Sequence, residues 1–134
     1  MAAAVGVVTQ SAVGTGYSDN TMRLEMVLGT VAVSASPATY TTSGIACDLS
    51  PLNPISGQPP IYVEVFSNPA AGTARANLYQ YAYLPGTSIS NGLLQVFTGA
   101  AAQTGLTELT GAGAIPAGVS GDTIQVIAYF ARGY

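Results

Sequence analysis

The chain has 134 residues, of which 7% are charged, and its three basic and six acidic residues give a net charge of −3. It contains no Lys and no His, whereas a soluble domain usually carries roughly a quarter of its residues as charges. Acid–base, nucleophilic and metal chemistry draw on His, Lys, Cys or clustered carboxylates. The composition therefore argues against an enzyme, a metal site and a bound cofactor, and favours a protein that works through its surfaces.

The length indicates one domain. Three scattered arginines cannot neutralise a row of phosphates, so the charge argues against nucleic acid and against an anionic membrane surface as partners. No apolar run approaches the roughly 18 residues that a transmembrane helix needs. The single cysteine, Cys47, excludes an intrachain disulfide, and because its neighbour Asp48 is acidic we expect a buried and unreactive thiol.

The first part of the chain looks unlike the rest. Residues 1–20 are small and polar, and Gly6, Gly14 and Gly16 disfavour a helix. Four valines in this stretch can pair as an added strand on a neighbouring molecule. The sequence therefore predicts an extended N-terminal arm over residues 1–20 that orders against a neighbour, followed by one domain over 21–134; a frayed terminus is the alternative.

The segment from Met22 to Val33 alternates in a way that predicts a strand. Its apolar face begins with even-numbered residues and passes to odd-numbered ones after Gly29, which predicts a bulge or bend there. A short helix capped by Asp19 or Asn20 is the alternative.

Later segments repeat the strand pattern, and turn signals separate them. Strands are predicted at 61–66, 78–84, 93–97 and 123–130, with a short one around 106–109. In the first of these, Ile61, Val63 and Val65 share one face, and Tyr62, Glu64 and Phe66 share the other. Asn91-Gly92 predicts a hairpin. Short strands at this spacing predict an all-β sandwich or barrel.

The most distinctive local feature is a stripe of three tyrosines, Tyr79, Tyr81 and Tyr83, on one face of a predicted strand. Three rings on one face make a wide, rigid and amphipathic surface. The stripe can cover one side of the protein's own core, contact a protein partner, or stack on a sugar. All three hypotheses stay open at this point.

The acidic residues offer little for catalysis. Glu25, Asp48, Glu64, Glu108 and Asp122 are scattered, and glycoside hydrolysis needs a pair that converges within roughly 5–10 Å. No motif supports such a pair, and Asp48 and Asp122 stand in segments typical of turns. The sequence predicts no catalytic residue.

Three segments carry a resemblance to a known family. They are a Tyr-x-Thr-x-Gly-hydrophobic-x-x-Asp-Leu segment (40–49), a Gly-x-Leu-x-Val-Phe strand (92–97) and an Ile-Pro-Ala-Gly-Val-x-Gly-Asp-Thr-Ile run (115–124). In this order they resemble the head decoration, or cement, proteins of tailed double-stranded DNA phages. The likeness spans about 40–130 and leaves the N-terminal arm uncovered.

The resemblance implies a β-sandwich or jelly-roll-like domain that acts as a structural virion protein on the outer capsid surface. Its partner would be the major capsid protein, and a homotrimer is expected. The residues expected at the interfaces are large and amphipathic: Tyr17, Tyr79, Tyr81, Tyr83 and Tyr134. Two alternatives are another virion β-sandwich, such as a tail-tube or head-fibre component, and a lectin-like adhesion module.

Overall fold

The computed structural model describes residues 2–10, 24–67, 79–99 and 105–131. Within these ranges the chain is built of short strands, with one 3-10 turn (Ser50–Leu52) and one four-residue helix, α1 (Ala117–Ser120). The strands are β1 (Val5–Gln10), β2 (Leu24–Val33), β3 (Ile45–Cys47), β4 (Tyr62–Ser67), β5 (Tyr79–Leu84), β6 (Gly92–Gly99), β7 (Leu106–Glu108) and β8 (Ile124–Ala131).

The strands form one sheet in the order β4-β8-β2-β1-β3-β6-β5, with β7 paired to β6. Neighbours are antiparallel except β1 and β3, which are parallel. The sheet curls until its end strands, β4 and β5, contact each other without joining in the ladder. The fold is thus all-β, as predicted, and has the form of a near-closed barrel with two sandwich-like layers.

The core lies inside this curl and comes from alternate residues of each strand. In β8, Ile124, Val126, Ala128 and Phe130 are all buried. Leu52 of the 3-10 turn and Val119 of α1 add to the same core from the loops. Alternation along the strands therefore decides which side chains face inward.

The structure corrects the predicted bulge in β2. The register with β8 runs unbroken from Leu24 to Val31, and the buried face consists of odd-numbered residues throughout. Gly29 lies on this inner face because Leu52 occupies the space beside it. An added Cβ at Gly29 would lie 2.6 Å from the Leu52 Cδ2 atom and 2.7 Å from the Thr9 carbonyl oxygen. The glycine marks a close approach, and the apolar even-numbered residues of β2 lie outside.

The structure also corrects part of the predicted N-terminal arm. Residues 5–10 form β1 inside the chain's own sheet, between β2 and β3, rather than an arm waiting for a neighbour. Ala4 and Val8 are buried in the core. The remainder of the predicted arm, from residue 11 onward, lies outside the described residues.

The later strands agree closely with their predictions, since β4, β5, β6, β7 and β8 overlap the predicted segments. The Asn91-Gly92 signal does mark a hairpin between β5 and β6, but its loop spans 85–91. Asn91 organises that loop, because its side chain accepts a hydrogen bond from the Ser88 amide and donates one to the Thr87 hydroxyl.

Candidate interaction surface

The outward side of the layer β4-β8-β2-β1 is a continuous and mostly apolar surface defined by the strand registers. We call it the outer face. It comprises Tyr62, Glu64 and Phe66 of β4, Gln125, Ile127, Tyr129 and Ala131 of β8, Leu24, Met26, Leu28, Thr30 and Ala32 of β2, and Val5, Val7 and Thr9 of β1.

Side chains of the outer face meet in rows across the strands. One row joins Tyr62, Tyr129 and Met26, and the next joins Glu64, Ile127 and Leu28. The rings of Tyr62 and Tyr129 are 5.9 Å apart, centroid to centroid, and tilted by 46°. Such cross-strand contacts between neighbouring side chains stabilise the sheet.

Large apolar groups of the outer face remain open to solvent. The exposed fraction is 58% for Val7, 54% for Tyr62 and 37% for Phe66, while Met26 and Leu28 are half-buried. Strands β2 and β8 are apolar on both sides, a pattern typical of strands that are covered on both sides. Because contiguous apolar surface of this kind marks interaction sites, the outer face is the best candidate for a contact with another protein.

The outer face carries one charged side chain, Glu64, which is exposed near its β4 edge. The Glu64 carboxylate raises the pKa of Tyr62, mainly through its negative charge. No cationic side chain lies among the described residues, because all three arginines fall in other parts of the chain.

The outward side of the second layer mixes polar and apolar residues. Its β5 and β6 residues include Gln80 and Gln95 together with Leu84, which is 43% exposed, and Leu106 of β7 is 51% exposed. Exposed apolar side chains therefore occur on both layers.

The tyrosine stripe faces inward. Tyr81 is 9% exposed, and Tyr79 and Tyr83 pack against the core from the same side of β5. This matches the hypothesis that the stripe covers the protein's own core. It removes the exposed three-ring platform on which sugar stacking would depend, and it leaves Tyr81 poorly placed as an interface anchor.

The Tyr81 hydroxyl has a specific structural role at the junction of the two end strands. It donates a 2.7 Å hydrogen bond to one oxygen of Asp122, and the Ser67 hydroxyl of β4 donates a 2.8 Å hydrogen bond to the other. One carboxylate thus connects β4 to β5 where the ladder does not. Hydrogen bonds to a charged acceptor are the stronger kind, so this contact stabilises the closed curl.

Tyr83 of β5 lies beside residues at the start of β4. It lines a cleft of about 240 Å³ together with Pro60, Ile61, Tyr62, Val63 and Pro85. Sites for small molecules usually measure roughly 300–1,000 Å³, so this cleft is a poor ligand site. The Tyr83 hydroxyl is buried without a hydrogen-bond partner in the described part of the chain, and burial raises its pKa to about 12. Its ring occupies the space that a side chain at Gly92 would need.

The remaining acidic residues have local structural partners. The buried Glu25 accepts a hydrogen bond from the Ile55 amide, and Glu108 accepts a 2.7 Å hydrogen bond from the Tyr40 hydroxyl. Asp48 accepts a hydrogen bond from the Ser50 amide, which fits the predicted turn. The prediction that no residue is catalytic stays a prediction.

Cys47 is buried, as expected, and burial raises the pKa of its thiol to about 12. Among the described residues no group of three or more His, Cys, Asp or Glu side chains is placed to hold a metal ion. The same residues include no helix with the length and apolarity needed to cross a membrane.

Two predicted interface residues, Tyr17 and Tyr134, lie outside the described residues. Sequence reasoning did not identify the outer face, although it placed Tyr62, Glu64 and Phe66 together on one face of their strand. The sequence does contain one indication of this surface: β2 and β8 have apolar residues on both of their faces.

Comparison of the chain with protein-family models, with curated proteins and with solved structures finds no match. The resemblance to phage decoration proteins therefore stays a prediction, and the function must be inferred from the residues and the geometry described above.

Proposed function

We propose that this protein is a capsid decoration protein of a tailed double-stranded DNA phage, which binds the major capsid protein on the outside of the head and bridges neighbouring subunits. The observation that carries the proposal is the outer face, an apolar and ordered surface on a domain whose composition offers little chemistry. The three family-like segments supply the identity of the partner.

In the proposed mechanism, the binding free energies of many copies together stabilise the capsid. Each copy buries apolar side chains of the outer face against the capsid, and burial contributes roughly 25 cal/mol per Å² of apolar area removed from water. Copies repeated by the symmetry of the head, and linked as a homotrimer, convert modest contacts into high avidity. The added contacts oppose the internal pressure of packaged DNA where subunits would otherwise separate.

A tail-tube or head-fibre component is the second candidate, because the same all-β fold and apolar surface would serve there. Location in the particle separates the two functions. The lectin-like alternative has less support, since the tyrosine stripe on which it depended packs on the core.

The proposal is tested on phage particles made without this protein. We expect heads that assemble but release DNA at a lower temperature, and purified protein should restore the wild-type release temperature. The matched variant is Phe66→Ala, which alters the outer face at a residue that is 37% exposed and should restore less. Particles that withstand heating equally well with and without the protein would rule out the decoration function.

A further inference from the structure

The curled sheet has a junction that its backbone ladders do not hold. Strands β4 (Tyr62–Ser67) and β5 (Tyr79–Leu84) are the two ends of the strand order, and they contact each other although no register pairs them. We call this contact the seam. At each other step around the curl the neighbouring strands are joined by backbone pairing. The two strands of the seam can therefore part without the loss of any ladder.

Prolines stand at one end of the seam. Pro60 lies just before β4, Pro85 follows β5, and both line the cleft of about 240 Å³ that Tyr83 also borders. A proline has no backbone N–H and cannot donate a hydrogen bond to a ladder. At this end the seam depends on packing of side chains such as Tyr83 and Val63.

A carboxylate holds the other end. Asp122 accepts a 2.7 Å hydrogen bond from the Tyr81 hydroxyl of β5 and a 2.8 Å hydrogen bond from the Ser67 hydroxyl of β4. Ser67 and Tyr81 are each 9% exposed, so little water competes for these bonds. The described hydrogen bonds that connect β4 to β5 thus end on one side chain, which lies just before β8 and belongs to neither strand of the seam.

We propose that the seam is a gate that opens in the native protein while the ladders of the sheet stay intact, and that Asp122 is its latch. Local opening of this kind takes less free energy than global unfolding, because fewer buried contacts are lost. The open state uncovers the free backbone edges of β4 and β5, which the closed state shields. The inference concerns the isolated domain and does not depend on the proposed function.

The test is cysteine labelling of the purified protein under native conditions. Ser67→Cys places a thiol at the seam, and it leaves the Tyr81 half of the latch in place. The chain's own cysteine, Cys47, is 2% exposed in β3 and reports on the core of the same molecule. Mass spectrometry measures how fast each thiol reacts with iodoacetamide, and each rate is divided by the rate in urea, where the chain is unfolded. Circular dichroism checks that each variant is folded.

Two matched variants are added to Ser67→Cys. Tyr81→Phe removes the 2.7 Å hydrogen bond to Asp122, and Tyr40→Phe removes a 2.7 Å hydrogen bond to Glu108 of β7, away from the seam. The bond at the latch is lost when the gate opens and also when the whole domain unfolds. The bond between Tyr40 and Glu108 is lost only when the whole domain unfolds.

We expect the thiol at position 67 to react at least about tenfold faster than Cys47. Tyr81→Phe should raise both rates about tenfold or more, because the closed state loses a hydrogen bond to a charged group. Tyr40→Phe should raise the rate of Cys47 by a similar factor and change the rate at position 67 by less than about twofold.

The inference is overturned if Tyr40→Phe accelerates both thiols equally, since the seam would then part only when the whole domain unfolds. It is also overturned if Tyr81→Phe leaves the rate at position 67 unchanged, since that thiol would then react without release of the latch.

Discussion

Two phenylalanines on opposite sides of the same layer give a direct test of which face is the core. Phe130 of β8 is 0% exposed, whereas Phe66 of β4 is 37% exposed on the outer face. Truncating a fully buried phenylalanine to alanine costs about 3–5 kcal/mol, because apolar contacts are lost and a cavity remains. Phe66→Ala should cost only about 1–2 kcal/mol, since burial of its ring is incomplete and no closed cavity forms.

The assay is urea and thermal unfolding of the two variants beside the wild type. One kcal/mol shifts the midpoint of a domain of this size by about 4 °C, so Phe130→Ala should melt about 12–20 °C lower and Phe66→Ala about 4–8 °C lower. A native domain has only about 5–15 kcal/mol of stability, so the first variant should be close to unfolding. Equal losses at the two positions would refute the assignment of inner and outer faces.

Three further predictions concern the core and its polar contacts. Deleting residues 2–10 should abolish folding of the isolated domain, because β1 pairs with both β2 and β3; cooperative melting of the truncated chain would contradict this. Tyr40→Phe should lower the free energy of unfolding by about 1–3 kcal/mol, since it leaves Glu108 without its 2.7 Å donor; an unchanged urea midpoint would count against it. Burial raises the pKa of Tyr40, Tyr83 and Cys47 to about 12, from ordinary values of 10.0 and 9.0, so the folded state holds these protons more tightly. The contribution of these three groups to stability should therefore be constant below about pH 9 and fall toward pH 12, and a free energy of unfolding that stays flat from pH 9 to pH 12 would contradict this.

In β4, alternation along the sequence was enough to separate the residues of the two faces, although the pattern did not say which face belongs to the core. Val63 and Val65 pack inward from one face, and Tyr62, Glu64 and Phe66 lie on the other.

Strand β2 shows where alternation stops being informative. Both of its faces are apolar, and the inner one includes the buried Glu25, so the pattern favoured the wrong face. The inner face is set by tertiary packing, such as the close approach of Leu52 to Gly29, which joins residues far apart in the chain. The predicted bulge was a consequence of the same ambiguity.

Strand β1 was missed because the buried residues at its start are small, and only Val8 adds a larger apolar side chain to the core. Ala4 and Gly6 carry almost no apolar signal, yet a larger side chain at Gly6 would press on Val31, since an added Cβ lies 3.0 Å from its Cγ1 atom. The pairing of β1 with β3 is parallel and joins residues far apart in the chain. Parallel strands are not joined by a tight turn, so no turn sequence indicates this pairing.

The candidate site was the least predictable feature, since a surface depends on the registers of four strands at once. Tyrosines were chosen as interface residues because they are large and amphipathic. The structure packs Tyr79, Tyr81 and Tyr83 against the core, and the role of the five tyrosines at an interface stays a prediction. The outer face can be recognised only from the pairing of β2 with β8.

The central claim is that the outer face is the surface that rests on the capsid, and a cryo-electron microscopy reconstruction of the assembled particle tests it most directly. We predict density for this domain on the outside of the head, with Tyr62, Phe66 and Val7 in contact with the major capsid protein. A domain seated with the outer face toward solvent, or found in the tail, would contradict the claim.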